Sequence, residues 1–288
     1  MKRILIVGKN SYIGNHIDEW LTKNGFEVVQ LDAITDEWKT YDYSKFYAIV
    51  HVASIVHQPK CKDWELYKYV NTEMPLAIAK MAKEQGVKHY VFFSSMAVYG
   101  RGKSLQPNIM DENSELGTTS MYGKSKLMAE EGLAKLADGN FITTFVRPPS
   151  VYGKGCKGGY ITGFASVARR LPIIPEVYGN VRQSFIYIDN LSELVRLIID
   201  KEISGPVCPQ DDVAVSANEL LETISNAIGK KYRSSRFLGF FVKLISFMPL
   251  VKKAYGGMEY AKSLSDVKGA NYVVVPFKEG MKRTLSNF

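Results

Sequence analysis

The chain has 288 residues, 46% of them apolar and 23% charged, which is the composition of a globular protein large enough to bury a full core. Its three cysteines, Cys61, Cys156 and Cys208, lie far apart and its four histidines are scattered, so we expect neither a disulfide framework nor a metal site. The net charge is +8, but residues 229–253 hold seven Lys or Arg and no acid, and without them it would be +1. This excludes a nucleic-acid-binding surface spread over the fold.

The first half of the chain alternates apolar runs with helical patterns. Buried strands are predicted at 2–7, 26–32, 47–54, 89–95 and 141–147, with a shorter one at 184–188. Helices are predicted at 12–24, 63–85 and 121–136, and a further one begins at Asp189 and Asn190. This alternation predicts the α/β class, with a Rossmann-like, doubly wound parallel sheet.

The alternation weakens after residue 150, where Gly and Pro accumulate. We therefore expect a first domain over 1–150 and a smaller C-terminal lobe over 151–288. Elements around 181–201 are expected to interleave with the first domain. The lobe is predicted to cross the carboxyl edge of the sheet, where ligands bind in such folds.

The stretch GKNSYIG, residues 8–14, follows the first strand and begins the first helix, which is the setting of a dinucleotide-binding turn. A pyrophosphate binds well at such a helix N-terminus. Gly8 permits the tight turn and Gly14 the close approach of helix to strand, whereas Ser11 stands where a middle glycine is usual. We expect little strain if φ of Ser11 is negative and about 1–2 kcal/mol if it is positive. An ordinary strand–turn–helix is the alternative.

Asp32 ends the second predicted strand, 18 residues after Gly14. A carboxylate at this place accepts hydrogen bonds from the ribose hydroxyls of a dinucleotide. It also repels a 2′-phosphate, and no Lys or Arg follows immediately. The sequence therefore favours NAD over NADP as the cofactor.

The pattern richest in chemistry combines Ser95 with Tyr122 and Lys126. Tyr122 and Lys126 are four residues apart on a predicted helix, so their side chains share one face. A phenol with a pKa near 10 is a poor base, and lowering this pKa by ~3 units requires ~4 kcal/mol from neighbouring cations. Ser95 ends a strand, so its hydroxyl is predicted to bond to the reacting oxygen. A Tyr–Lys pair at this spacing also occurs by chance in many helices, so the surrounding motifs decide.

Six segments occur in an order typical of one family: GKNSYIG, HVAS, SSMAVYG, YGKSK, RPPSVYG and FIYIDNL. Over essentially its whole length the sequence resembles the extended short-chain dehydrogenases of the NAD-dependent epimerase/dehydratase family. The resemblance implies an NAD-binding domain and a nucleotide-diphosphate-sugar site under the C-terminal lobe. It implies that Ser95, Tyr122 and Lys126 are catalytic.

The resemblance also implies which residues contact the two ligands. For the cofactor these are Gly8, Asn10, Ser11, Tyr12, Ile13, Gly14, Asp32, Asp42, Tyr43, Ala53, Ser54, Asn71, Tyr122, Lys126 and Pro148. For the substrate they are Ser95, Met96, Ser150, Lys157 and Arg182. Asp42 and Tyr43 resemble the pair that faces adenine in the family.

Two departures from the family pattern concern the substrate. Ser150 replaces an asparagine that is frequent there, and Gln183 aligns with a phosphate-binding arginine, with Arg182 one position earlier. Either Arg182 reaches the diphosphate or the anchor lies elsewhere. Lys154 and Lys157, in the glycine-rich loop after Tyr152, are candidates, and two solvated loop lysines are the alternative.

Another departure concerns the reaction. The family's dehydratases carry an Asp-Glu pair where this chain has Met96 and Ala97. Neither residue has a titratable proton, so we expect no dehydration across C5 and C6 of a sugar.

The basic segment, residues 229–253 (GKKYRSSRFLGFFVKLISFMPLVKK), interleaves cations with apolar residues. Its longest apolar stretch is too short to span a bilayer. The sequence favours a helix packed on its own domain with solvated lysines, and a peripheral membrane contact is the alternative. The short apolar run near the N-terminus does not suggest a signal peptide, so a cytoplasmic protein is expected.

The resulting hypothesis is an NAD-dependent epimerase that acts at C4 of a UDP-linked sugar. Tyr122 takes the proton of the C4 hydroxyl, the C4 hydride goes to the nicotinamide, and the 4-keto sugar turns before the hydride returns. One alternative is an NAD(P)H-dependent 4-keto reductase of a UDP-N-acetylated sugar. Another is a non-catalytic NAD-binding regulator, a type that commonly lacks the Tyr–Lys pair. The resemblance further implies a homodimer.

Overall fold

The computed structural model describes residues 1–56, 63–100, 102–156, 160–267 and 269–286. Its strands are β1 (Arg3–Val7), β2 (Glu27–Leu31), β3 (Ala48–His51), β4 (His89–Phe93), β5 (Ile109–Met110), β6 (Ile142–Val146), β7 (Ser150–Tyr152), β8 (Ile174–Pro175), β9 (Arg182–Gln183), β10 (Phe185–Tyr187), β11 (Gly205–Val207), β12 (Val215–Ser216), β13 (Ser234–Ser235) and β14 (Glu259–Tyr260).

The helices are α1 (Tyr12–Lys23), α2 (Trp64–Lys68), α3 (Met74–Glu84), α4 (Met121–Ala134), α5 (Tyr160–Arg170), α6 (Ile188–Lys201), α7 (Ala217–Ala227), α8 (Arg236–Leu244), α9 (Pro249–Tyr255), α10 (Lys262–Ser265) and α11 (Phe277–Leu285). Short 3-10 turns occupy Asp36–Lys39, Tyr43–Lys45 and Met96–Tyr99. A π turn at Tyr69–Glu73 joins α2 to α3.

A six-stranded sheet in the order β11-β6-β4-β3-β1-β2 forms the centre of the fold, and all its pairs are parallel. Successive side chains of β1 enter opposite layers, as a strand buried on both faces requires. Ile4 and Ile6 pack with α1 and α6, whereas Leu5 and Val7 pack with α3 and α4. Each such buried side chain contributes ~1.5–3 kcal/mol. The predicted α/β, doubly wound fold is confirmed.

Two predicted elements differ in the structure. The strand expected over 47–54 ends at His51, because the N–H groups of Val52 and Ala53 both donate to the Val7 carbonyl at 3.0 Å. The helix expected over 63–85 is divided by the π turn. Within that turn, Asn71 directs its side chain at the backbone of Ile55. Both irregularities lie at the carboxyl edge of the sheet, next to the candidate site.

After β6 the chain builds short strand pairs, β7 with β10, β9 with β12 and β8 with β13. It also returns to the first sheet, because β11 pairs with β6 and α6 packs on α1. The pair β14–β5 ties the C-terminal part to the loop that follows β4. In the part of the chain that the structure describes, no helix combines the length and apolar character needed to cross a bilayer.

Candidate functional site

Ser95 and Tyr122 meet at the carboxyl end of β4. Ser95 caps the 3-10 turn at Met96–Tyr99, and its Oγ accepts from the Ala97 N–H at 3.1 Å. Tyr122 lies in the first turn of α4, where a Cβ on the neighbouring Gly123 would approach the Ala97 carbonyl to 2.6 Å. The glycine therefore lets α4 begin against this turn. Burial raises the pKa of Tyr122, and a hydrogen bond with the Ser95 hydroxyl lowers it in part.

Lys126 lies one turn along α4 and is completely buried. Its Nζ donates to the Phe93 carbonyl at 2.7 Å and lies 4.6 Å from the centre of the Phe92 ring. Burial lowers the pKa of Lys126 to about 7, and the Glu130 carboxylate opposes this shift. Ser95, Tyr122 and Lys126 thus converge at the edge where the sequence analysis expects them. Their catalytic roles remain predictions.

A buried ion pair between Arg147 and Glu130 lies next to Lys126. Arg147 Nη2 lies 2.5 Å from Glu130 Oε2, and the Ser94 hydroxyl also donates to this carboxylate. The Tyr260 hydroxyl donates a hydrogen bond to the Arg147 carbonyl at 2.8 Å. Breaking one partner of such a pair leaves a buried charge uncompensated and costs about 3–5 kcal/mol. This pair was not predictable from the sequence, because its partners lie on different elements and no spacing rule connects them.

The GKNSYIG turn has the backbone shape of an anion cradle. Gly8 has φ +127°, and a Cβ there would meet Val52 Cγ2 at 2.7 Å and the Ala53 N at 3.0 Å. Asn10 takes the left-handed conformation, with φ 62°. Ser11 has φ −76° and caps α1, since its Oγ accepts from the Gly14 N–H at 3.1 Å. Because this φ is negative, Ser11 carries little backbone strain, as expected for that case.

Gly14, Tyr12 and Ile13 form the first turn of α1. A Cβ on Gly14 would come within 2.6 Å of Ser11 Oγ and 3.1 Å of the Gly8 carbonyl, so this position is closed to larger residues. The N–H groups of a first turn have no partner within the helix and point at whatever lies beyond it. The residues around this turn therefore fit a pyrophosphate.

Asp32 lies beside this cradle, because the N–H groups of Gly8 and Lys9 donate to the Leu31 carbonyl at 3.0 and 3.2 Å. Its Oδ1 accepts from the Ile34 N–H at 2.8 Å, which leaves acceptor capacity for a ligand.

The two residues that resemble the family's adenine pair, Asp42 and Tyr43, are not free in the way that Asp32 is. Asp42 is bound within its own turn, to Ser44 and at 3.0 Å to Lys45 Nζ. Tyr43 is fully buried, and its hydroxyl donates to the Trp38 carbonyl at 2.6 Å. The structure therefore leaves Tyr43 no surface with which to face a ligand.

We call the segment that follows β3, with Ala53 and Ser54, the wall, and Asn71 connects this segment to α4. Ala53 lies against Gly8, as described above. The Asn71 amide bridges the N–H and the carbonyl of Ile55 at 2.9 Å each and donates to Ser125 Oγ at 3.1 Å. Asn71 is completely buried by these contacts, so in this structure it positions the wall.

Ser95, Met96, Tyr122, Pro148 and Ser150 line one cleft of about 870 Å³, which we call the Tyr122 cleft. The Pro148 carbonyl accepts from the Met96 N–H at 3.1 Å. Of the five predicted substrate residues, three line this cleft, Arg182 does not, and Lys157 lies outside the described residues.

Arg182 and Gln183 point in different directions, as neighbours on a strand do. Gln183 enters the Tyr122 cleft and donates to Ser150 Oγ at 3.2 Å. Its buried Oε1 has no hydrogen-bond partner among the described residues. Arg182 donates to Glu219 at 3.2 Å and to the Ala214 carbonyl at 2.8 Å, in a separate cleft of about 1000 Å³. The structure does not bring Arg182 to the Tyr122 cleft.

Three lysines that the sequence analysis did not select line the far wall of the Tyr122 cleft: Lys103, Lys252 and Lys253. The Lys103 Nζ lies 3.4 Å from the centre of the Tyr160 ring and has no hydrogen-bond partner among the described residues. Burial, with a contribution from Lys253, lowers the pKa of Lys103 to about 7. A basic segment ending at Lys252 and Lys253 was the only sequence signal, and it did not indicate the cleft.

Metal ligands are not grouped anywhere in the described ranges, where no three His, Cys, Asp or Glu side chains could hold an ion together.

Comparison with known proteins adds a family and several relatives. A model described as the NAD dependent epimerase/dehydratase family matches residues 4–208. A UDP-glucose 4-epimerase of Vibrio cholerae is 28% identical over 257 residues, covering 80% of this chain and 76% of the relative. An N-acetyl-alpha-D-glucosaminyl-diphospho-ditrans,octacis-undecaprenol 4-epimerase of Escherichia coli O157:H7 is 22% identical over 249 residues, covering 80% and 74%.

The solved structure of a UDP-glucose 4-epimerase of Thermus thermophilus in complex with NAD has a TM-score of 0.73 to this chain. It is 21% identical and covers 99% of this chain and 98% of its own. At this identity the likeness concerns the fold.

Proposed function

Because this chain belongs to the NAD dependent epimerase/dehydratase family, we propose that it is a 4-epimerase of a UDP-linked sugar, such as UDP-glucose or UDP-N-acetylglucosamine. Family membership confirms the resemblance drawn from the sequence and the expectation of an NAD-dependent enzyme. The observation that carries the finer proposal is that Ser95 and Tyr122 line one ligand-sized cleft, with Lys126 buried one turn along the helix that carries Tyr122.

The proposed chemistry begins with the proton of the C4 hydroxyl, which Tyr122 accepts. NAD, when bound, supplies the acceptor for the C4 hydride. Burial favours the neutral phenol of Tyr122, so positive charge from Lys126 and a hydrogen bond from Ser95 must offset that preference. Ser95 then donates to the 4-keto oxygen, and Tyr122 returns the proton after the sugar has turned.

The cofactor is proposed to bind along the GKNSYIG turn. Gly8 and Gly14 leave the space that a Cβ would fill, and α1 offers the N–H groups of Tyr12 and Ile13 to the pyrophosphate, since that of Gly14 is bound to Ser11 Oγ. The Asp32 carboxylate can still accept hydrogen bonds from two ribose hydroxyls of the cofactor. Its negative charge disfavours a 2′-phosphate, and therefore NADP. Calorimetric titration with NAD and NADP tests this, and tighter binding of NADP would contradict the role given to Asp32.

The sugar diphosphate is proposed to bind between Tyr122 and the lysines on the far wall. Lys103, Lys252 and Lys253 bring positive charge to a cleft that holds no carboxylate among the described lining residues. The unpaired Gln183 Oε1 and the Ser150 hydroxyl offer polar contacts nearby. These lysines take the place for which the sequence offered Arg182, Lys154 and Lys157 as candidates.

A second candidate differs in what carries the sugar. The name of the E. coli relative describes a sugar diphosphate on a lipid, undecaprenol. The observation that favours this candidate is a broad exposed apolar surface on α8 and α9, the latter being the helix that supplies Lys252 and Lys253. Parallel assays with UDP-N-acetylglucosamine and its undecaprenyl-diphosphate counterpart distinguish the two.

The experiment that tests the proposed function incubates the protein with NAD and a UDP-sugar and follows the sugar by NMR. We expect interconversion of gluco and galacto forms. Mass spectrometry of small molecules extracted from the purified protein separates the rival reductase: retained NAD supports an epimerase that recycles its cofactor. Conversion of only an added 4-keto sugar, with consumption of NADH, would favour the reductase. Binding of NAD without turnover of any sugar would favour the regulator.

A further inference from the structure

Helix α8 carries an apolar stripe that faces solvent. Phe237, Phe240, Phe241 and Leu244 are spaced i, i+3, i+4 and i+7, which places them on one side of the helix. All four are exposed, Phe237 by 72%. In a globular protein such a stripe normally faces the core, so this helix is oriented the opposite way.

The apolar surface continues through the turn into α9. Phe247 is 83% exposed and Leu250 is 68% exposed. Scattered single apolar residues on a surface need no explanation, but a contiguous patch of aromatic side chains marks an interaction surface. We call Phe237, Phe240, Phe241, Leu244, Phe247 and Leu250 the apolar face.

The other side of the same segment is fixed to the protein. A Cβ on Gly239 would meet the Glu176 carbonyl at 2.1 Å, so α8 lies directly on the backbone next to β8. Arg236 pairs with Glu176 at 3.0 Å, Val251 is buried, and the Tyr255 hydroxyl donates to the Pro175 carbonyl at 3.1 Å. The outward direction of the apolar face is therefore set by packing.

The segment that carries the apolar face contributes only positive charges, and the neighbouring Glu176 carboxylate is paired with Arg236. Residues 229–253 contain seven Lys or Arg and no acid. Lys243, Lys252 and Lys253 are exposed and have no carboxylate within ion-pair distance in the described part of the chain. A second copy of this face would bring like charges together, whereas the headgroups of an anionic bilayer are complementary to them.

We propose that α8 and α9 form a docking surface for an anionic lipid bilayer. The apolar face enters the boundary between headgroups and acyl chains, and Lys243 contacts the headgroup phosphates, while Lys252 and Lys253 add positive charge at the edge of this surface. Because Lys252 and Lys253 also line the Tyr122 cleft, docking holds the entrance of that cleft at the membrane surface. The docking itself does not depend on the proposed function, since it requires neither cofactor nor sugar.

Cosedimentation with vesicles tests the proposal. The full chain is mixed with vesicles of phosphatidylcholine and phosphatidylglycerol, or of phosphatidylcholine alone. We expect the protein to pellet with the anionic vesicles, with binding roughly fivefold weaker for each exposed lysine removed. The double variant Phe240→Ser/Phe247→Ser should bind at least about tenfold more weakly. Both phenylalanines are exposed, so this variant is expected to fold.

A matched control is Leu66→Ser, which removes an exposed apolar side chain from α2, outside the apolar face. It should bind anionic vesicles as the unchanged protein does. Lys243→Gln should weaken binding to anionic vesicles without altering the sugar assay, since Lys243 does not line the Tyr122 cleft.

Three results would overturn the proposal. The unchanged protein stays in the supernatant with anionic vesicles, the double variant pellets as well as the unchanged protein, or the double variant converts a dimer to a monomer in sedimentation equilibrium while vesicle binding is absent. The last result would assign the apolar face to self-association. An inactive protein that still binds vesicles would count against the proposed function alone.

Discussion

Replacing Lys103 with methionine is expected to remove a pH dependence of substrate affinity. Burial and the nearby Lys253 ammonium lower the pKa of Lys103 to about 7, and the Tyr160 ring covers its Nζ. The ratio of neutral amine to ammonium rises tenfold with each pH unit, so the Lys103 amine is about half neutral at pH 7 and ~99% neutral at pH 9. A diphosphate binds the ammonium form, so binding takes up a proton. Each pH unit above about 7 then costs ~1.4 kcal/mol.

The assay measures KM and kcat for the UDP-sugar between about pH 7 and about pH 9. Above about pH 8 the KM of the unchanged protein should rise roughly tenfold per pH unit, because the pKa of Lys103, about 7, lies at the lower end of this range. Lys103→Met should have a raised KM at pH 7 that changes little with pH. Lys103→Arg is the matched control, since a guanidinium stays charged and should give a low, flat KM. Equal pH slopes in the unchanged protein and Lys103→Met would refute the reasoning.

Three further changes test the site. Tyr122→Phe should lower turnover by several orders of magnitude while NAD affinity in calorimetry stays within about tenfold, because the ring's packing is kept; near-normal turnover would contradict the mechanism. Lys126→Met should lower both turnover and NAD affinity, measured in the same two assays. Arg182→Gln should change KM by less than about twofold, because Arg182 is paired with Glu219 outside the Tyr122 cleft. Finally, no C6 methyl doublet should appear in NMR of any UDP-sugar reaction, since no carboxylate replaces Met96 or Ala97.

The parts of the fold that follow from local pattern were predictable from the sequence. The apolar run of β1 and the helical spacing of α1 placed the GKNSYIG turn at the sheet edge. The structure then answered the question that Ser11 raises, because only coordinates give its φ of −76°. The strand beginning at Ala48 was predicted too long, since nothing local shows that Val52 and Ala53 both bond to one carbonyl.

The parts of the site that depend on distant segments were not predictable. Lys103 reaches Lys252 and Lys253 because Ser104 and Gly257 exchange backbone hydrogen bonds, at 3.2 and 2.9 Å. No spacing rule connects residues so far apart in the chain. The choice between Arg182 and Gln183 depended on the register of a two-residue strand, where a shift of one residue reverses the side chains.

The apolar side of α8 faces solvent, although the sequence favoured packing against the domain. Its apolar spacing favoured a helix packed on its own domain, and the helix does pack there, but through Gly239. The i, i+4 pattern identifies the apolar side of a helix and does not say what covers it. The homodimer, the two-domain division and the cytoplasmic location stay predictions.

The most direct test of the central claim uses a UDP-sugar carrying deuterium at C4. If the sugar is oxidised at C4 and the same hydride returns to the other face, the epimerised product keeps its deuterium, and turnover slows relative to the protium substrate. NMR and mass spectrometry of the product measure both. Retention of deuterium with inversion at C4 is the predicted result. Inversion with loss of deuterium to solvent, or no inversion at C4 with NAD bound, would contradict the account.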